Sequence, residues 1–251
     1  MNQHQQEQLE QLHTSDAIAA RIVASQSHTF IGDFILGAVD GAITTFAIVA
    51  GVAGANYSIT IAIVLGVANL LADGFSMAVS NYLKARSDQQ VVQKFRRMEE
   101  MHIDLIPEGE REEIRQIYSA KGFEGELLDQ VVDTICNDKQ RWVDTMLTEE
   151  WGLQLDIPSP WKSGLVTFVG FVVAGSVPLV PLLLTYFGMS DAVIFVSSAL
   201  LTALAFVMIG IFRARALHTS ISVSVIETLG TGGLAAGIAY FTSQPDSVYL
   251  R

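Results

Sequence analysis

The sequence predicts an all-α membrane protein, with five transmembrane helices and a cytoplasmic helical domain inserted between helices 2 and 3. Three observations predict it. Half of the 251 residues are hydrophobic and mean hydropathy is +0.39. The apolar residues gather into five runs, near 31–54, 59–84, 162–187, 192–212 and 220–242. At ~1.5 Å per residue each run crosses a hydrocarbon layer of about 30 Å. The third observation is the polar block between runs two and three. Residues 85–161 hold 17 of the 26 acids but only 9 of the 15 basic residues. So acidic a domain selects cations as partners and argues against nucleic acid.

Charge also sets the orientation. With the N-terminus inside, cytoplasmic segments collect Arg21, the eleven basic residues from Lys84 to Lys162, and Arg213 with Arg215. Only Arg251 is left outside, as the positive-inside rule requires. The expected divisions are an N-terminal cytoplasmic arm (1–29), helices 1 and 2 (30–84), the insert (85–161), helices 3 to 5 (162–242) and a C-terminal tail (243–251). The lone Cys136 excludes an internal disulfide and fits a reducing compartment. The Gln-rich N-terminus lacks the basic-then-apolar pattern of a cleavable leader. Leu9, Leu12, Ile18 and Ile22 give it a short apolar side, so a surface helix or a solvated arm is expected.

The first two runs meet at a short turn near Asn56 and Tyr57, and each carries an acid: Asp40 in the first, Asp73 in the second. A carboxylate at mid-bilayer costs roughly 2.5–3.5 kcal/mol on insertion scales, which makes function its default reading. Asp33, Gly37, Asp40 and Thr44 share one helical face by spacing, and Asn69, Asp73, Met77 and Ser80 share another. In an antiparallel hairpin Asp40 and Asp73 fall at nearly equal depth. Oxygen donors with one thioether suit a divalent transition metal such as Fe²⁺ or Mn²⁺. A proton relay, or a hydrogen bond that only packs helices, is the alternative.

In the third run Pro178 and Pro181 predict a kink or break. Gly37-x-x-x-Gly41 and Gly233-x-x-x-Gly237 permit close helix approach, within the chain or in a homodimer. Glu227 stands about two turns into the fifth run. It is either a proton-coupling group or a partner that reaches Arg213 or Arg215.

The insert reads as all-helical. Residues 84–105 continue the second run; Pro107 opens a helix with an acidic first turn, which Gly122 stops; 127–135 and 141–151 are two more amphipathic stretches. Three pairs of donors share helix faces: Glu99 with His102, Glu110 with Glu113, and Met146 with Glu150. They make a candidate metal site. A solvated acidic surface is the plain alternative.

The segments AVDGAITTFAIVAGVAGA, NLLADGFSMAVSNYLKARSD, PEGEREEIRQIY and WVDTMLTEEWGL together resemble the vacuolar iron transporter family, over nearly everything from Phe30 to Thr242. The resemblance implies a proton-coupled antiporter that exports Fe²⁺, and often Mn²⁺, from the cytosol. It also implies a homodimer whose cytoplasmic insert binds metal. By motif, Asp40 falls on the family's translocation aspartate and Met77 on its pore methionine. Glu99, Glu110, Glu113, Met146 and Glu150 fall on its metal-ligand positions. There are departures. His102 stands where a glutamate is expected, Leu147 where plant members have a second methionine, and Asn69 where they have a glutamate. Asp73, one turn from Asn69, then supplies the displaced charge. Thr44 completes the expected pathway, and Asp73 or Glu227 carries the proton.

The expected protein is thus a transporter rather than an enzyme, with Fe²⁺ or Mn²⁺ as its ion and no organic cofactor. A multi-pass location in a bacterial inner membrane is expected ahead of a vacuole. Two rivals remain. Glu99-x-x-His102 and Glu10-x-x-His13 match the Glu-x-x-His element of di-iron carboxylate oxidases. A metal sensor or scaffold without flux is the other.

Overall fold

The computed structural model describes residues 12–19 and 29–245. Every regular element among them is helical. We number the helices α1 (Ile31–Gly54), α2 (Ile59–Leu105), α3 (Pro107–Ala120), α4 (Gly125–Cys136), α5 (Lys139–Glu149), α6 (Pro160–Ser176), α7 (Asp191–Ala216) and α8 (Ile221–Thr242), with a 3₁₀ helix at Val177–Phe187. Of the N-terminal arm, residues 15–19 are helical; Leu9, Ile22 and Arg21 lie outside the described residues. Five helical segments are long and apolar enough to cross a membrane: α1, α2, α6 with the 3₁₀ stretch, α7 and α8.

The chain divides into two compact units. Ala85–Pro158 belong to one; Thr29–Lys84 and Ser159 onward form the other. Helix α2 contributes to both, being one uninterrupted helix of 47 residues.

In the apolar unit, α1 ends in a way its sequence explains. Asn56 takes a left-handed conformation (φ 54°), which asparagine tolerates better than most residues. The Tyr57 amide then donates to Val52 O at 3.1 Å and the Asn56 amide to Ala53 O at 3.1 Å. This paired arrangement satisfies the last carbonyls of α1 and turns the chain tightly into α2. Helix α7 stops in the same manner, with His218 at φ 52° and the Thr219 amide on Ala214 O at 2.9 Å.

Small residues let α1 lie directly against α6. A Cβ added at Gly37 would stand 2.0 Å from Thr167 O, and one at Gly41 2.3 Å from Phe171 O. The Gly37-x-x-x-Gly41 motif is therefore used within the chain. The Gly233 and Gly237 positions on α8 face open space. Around this contact Val49, Val52, Leu70, Phe171, Leu179, Leu182 and Ile194 form a buried apolar cluster.

The predicted break in the third run takes a definite form. Helix α6 stops at Ser176, and 3₁₀ geometry carries the chain from Val177 to Phe187, with Pro181 inside it. Proline removes an amide donor and crowds the preceding turn, so the α pattern cannot continue. The Pro178 carbonyl accepts a 2.6 Å bond from the buried Ser198 hydroxyl of α7. That oxygen is spent on packing.

The second unit gathers Ile103, Ile114, Leu128, Val132, Ile135, Trp142, Val143, Met146 and Leu147 in its core. Helix α3 ends at Gly122 (φ 92°), with the Phe123 amide on Tyr118 O at 3.2 Å and the two rings 5.8 Å apart. Its outer surface is laced by ion pairs: Arg96–Asp144, Arg111–Asp133, Arg115–Asp129, Lys121–Glu149 and Lys139–Asp104. Exposed pairs of this kind add little stability each. Their consequence here is which acids they leave out.

Candidate metal centre and membrane carboxylates

Among the described residues no lysine or arginine pairs with Glu99, Glu110, Glu113 or Glu150. Yet Glu99 and Glu110 are almost fully buried, at 1% and 2% exposure. Burying two carboxylates without a cation is costly, and a bound cation removes the cost.

Helix geometry brings the donors together. Glu99 and His102, one turn apart on α2, meet Glu110 in the first turns of α3, and one donor atom from each lies within 4.8 Å of the others. The His102 Nδ1 atom is 3.3 Å from Glu110 Oε1. One oxygen of each glutamate, Glu99 Oε2 and Glu110 Oε2, is buried and has no hydrogen-bond partner. The other Glu99 oxygen accepts a 2.9 Å bond from the Trp151 indole N–H.

The electrostatics follow. Desolvation first, then the negative charges of Glu113 and Glu99, a hydrogen bond to Glu99 and the charge of Glu150, push the Glu110 carboxyl up to about 7. Glu150 is raised by desolvation and by Glu99 and Glu113, with His102 opposing. An imidazole among carboxylates is a donor set for Fe²⁺, Mn²⁺ or Zn²⁺.

The predicted ligands are thus differently placed. Glu99, His102 and Glu110 converge; Glu113 and Glu150 are exposed but electrostatically coupled to them. Met146 is fully buried in the apolar core, and its carbonyl receives the Glu150 amide. Trp151 was not among the candidates. Its partner is 52 residues away in sequence, a distance that no local spacing rule spans. The di-iron reading also required Glu10-x-x-His13, and Glu10 lies outside the described residues.

In the apolar unit, Asp40 stands on α1 and Asp73 on α2. The Asn69 side chain joins their helices, donating to Thr44 Oγ1 at 3.2 Å and Thr45 Oγ1 at 3.3 Å. Met77 packs beside the buried apolar cluster. One turn from Met77, the Asn81 amide reaches Asp33 Oδ1 at 2.9 Å and Thr167 Oγ1 at 2.8 Å, tying α1, α2 and α6 together. Asp40 also lines a cavity of about 470 Å³ with Arg213, Glu227, Thr228 and Thr231. Glu227 Oε2 accepts from Arg213 Nη1 at 2.9 Å, the partner named by the second of its two readings.

Residues 31–244 match the VIT family. The chain belongs to that family. It is 30% identical over 221 residues to the vacuolar iron transporter of Toxoplasma gondii, covering 85% of this chain and 73% of that one. It is also 30% identical over 211 residues to vacuolar iron transporter 1 of Tulipa gesneriana, with 84% of each chain covered. For vacuolar iron transporter 1 of Arabidopsis thaliana the identity is again 30%, over 84% of this chain and 83% of that one. These names are vacuolar, so the expectation of a bacterial inner membrane finds no support in these VIT relatives.

If the clustered acids of this VIT-family chain hold metal, removing two of them must weaken binding. The double variant Glu110→Gln, Glu113→Gln is expected to bind Mn²⁺ at least tenfold more weakly by calorimetry, with helix content kept, because isosteric amides preserve shape. Unchanged affinity and stoichiometry would remove Glu110 and Glu113 from the metal site.

Proposed function

We propose that the chain is a proton-coupled transporter that exports Fe²⁺, and also Mn²⁺, from the cytosol. The VIT relatives named as iron transporters support the ion. The observation that carries the reading is the cluster of buried Glu99 and Glu110 with half-buried His102, which lacks a lysine or arginine partner and matches transition-metal chemistry. A cytoplasmic position for that unit follows from the basic residues around it. There it captures metal before transport. Asp40, Thr44, Asn69, Asp73 and Met77 then line the passage between α1 and α2, where metal is passed between carboxylates. A homodimer fits the open Gly233 and Gly237 face of α8.

Coupling needs one site that two cations contest. Asp73 is the proton-exchanging partner of Asp40 in this reading: the two cations load from opposite faces, and arriving metal favours the ionised form and expels the proton to the face the metal came from. Metal-dependent quenching of a dye trapped in proteoliposomes, with and without an imposed pH gradient, tests the function. Wild-type flux should rise with the gradient. Asp73→Asn should still bind metal but lose that response. A mutant that follows the gradient as wild type does transfers the role to Glu227. No flux in either condition returns the protein to a sensor or scaffold.

A further inference from the structure

Trp151 sits where α5 gives way to an irregular turn. The Trp151 amide bonds Met146 O at 3.3 Å, Gly152 adopts φ 62°, and the Leu153 amide returns to Leu147 O at 2.9 Å. These contacts anchor the residue on both sides. Its ring packs on Phe95 of α2, centroids 4.3 Å apart, and its N–H reaches across to Glu99 Oε1. Phe95 and Glu99 are one turn apart on α2, so one indole grips the helix at two levels.

We propose that Trp151 is a positioning residue for the metal centre, one that makes Glu99 a one-oxygen ligand. The indole has a single donor and no acceptor, and it is used on Glu99 Oε1. That leaves Oε2, buried and without a partner, as the free atom of Glu99. Rotation of the carboxylate to offer both oxygens to a cation would break the 2.9 Å bond. The indole thus fixes the carboxylate plane as well as the ligand count. Small divalent ions with six or fewer ligands accept one-oxygen carboxylates; larger ions such as Ca²⁺ gain from two-oxygen binding. Trp151 therefore acts on selectivity as well as affinity. This inference rests on the Glu99–His102–Glu110 cluster being a metal site.

The test uses the full-length chain in detergent with Mn²⁺ and Ca²⁺ as probes. Trp151→Phe keeps an aromatic ring on Phe95 and removes the N–H. Incorporating β-(3-benzothienyl)alanine at position 151 keeps the bicyclic shape as well, which holds the fold if phenylalanine does not. Outer-shell partners of this kind are worth roughly 10–100-fold in metal affinity. Mn²⁺ binding should weaken by about that factor in either variant, with Ca²⁺ binding changed less or improved. In a Glu99→Gln background the same change at 151 should cost nothing further, because the ligand it orients is gone. An equal loss in both backgrounds makes Trp151 a packing residue and overturns the proposal, as does an unchanged Mn²⁺ affinity in the single variant. If Glu99→Gln alone leaves Mn²⁺ binding intact, the metal-site reading fails and this inference falls with it.

Discussion

Replacing Asp40 with asparagine should abolish metal flux while leaving the protein folded and inserted. Asparagine matches aspartate in shape, so the close α1–α6 contact beside it, where Gly41 meets Phe171, is untouched. The neutral amide is also the cheaper group to hold in hydrocarbon. What disappears is the negative charge that offsets a partly dehydrated divalent cation. Asp73 alone then faces two positive charges, and the polar neighbours Asn69 and Thr44 carry none. Dye quenching in proteoliposomes should fall to the level of empty vesicles. Metal binding to the insert should persist, because Glu99 and Glu110 belong to the other unit. Wild-type flux in Asp40→Asn would remove this carboxylate from the path.

What could be read from sequence was whatever depends on short spacing. Hydrophobic run lengths located the five membrane-length helices within a few residues, because about 20 apolar residues in a row have few other uses. The left-handed preference of asparagine and glycine marked the ends of α1 and α3 at Asn56 and Gly122. One-turn spacing placed Glu99 with His102. The contacts that complete the site join distant segments. The indole of Trp151 meets Glu99, and Asn81 meets Asp33 and Thr167, only because the folded chain brings remote segments together. The proline pair announced a disturbance after α6, but not its form. An eleven-residue 3₁₀ stretch depends on packing, including the hydroxyl of Ser198 on the freed carbonyl. Burial was equally hidden. An acidic i, i+3 pair reads the same on a wet surface and in a pocket, and Glu110 turned out buried while Glu113 is exposed.

If the cluster holds metal, that burial makes its affinity strongly dependent on pH. In the unfolded chain Glu110 titrates near 4.5, whereas in the folded chain its carboxyl is raised to about 7. Below 4.5 both states hold the proton and the group costs the fold nothing. Between 4.5 and 7 the folded chain retains a proton that the unfolded chain has lost, so stability falls as pH rises. Above 7 the penalty is complete, with Glu110 held as a buried anion. A divalent cation reverses this, since it favours the ionised form and must displace the Glu110 proton to bind. Two results follow for the full-length chain in detergent. Between pH 7.5 and pH 5.5 the Mn²⁺ affinity should drop by roughly tenfold for each pH unit below 7, one proton being displaced per ion. The rise in melting temperature on adding Mn²⁺ should be larger at pH 8 than at pH 5.5, because only at the higher pH does the ion relieve repulsion already present. In Glu110→Gln both trends should flatten, since the amide has no proton to exchange. Calorimetry and thermal melts across that range check them, and a Glu110→Gln variant that keeps the wild-type pH profile would assign the proton to another group.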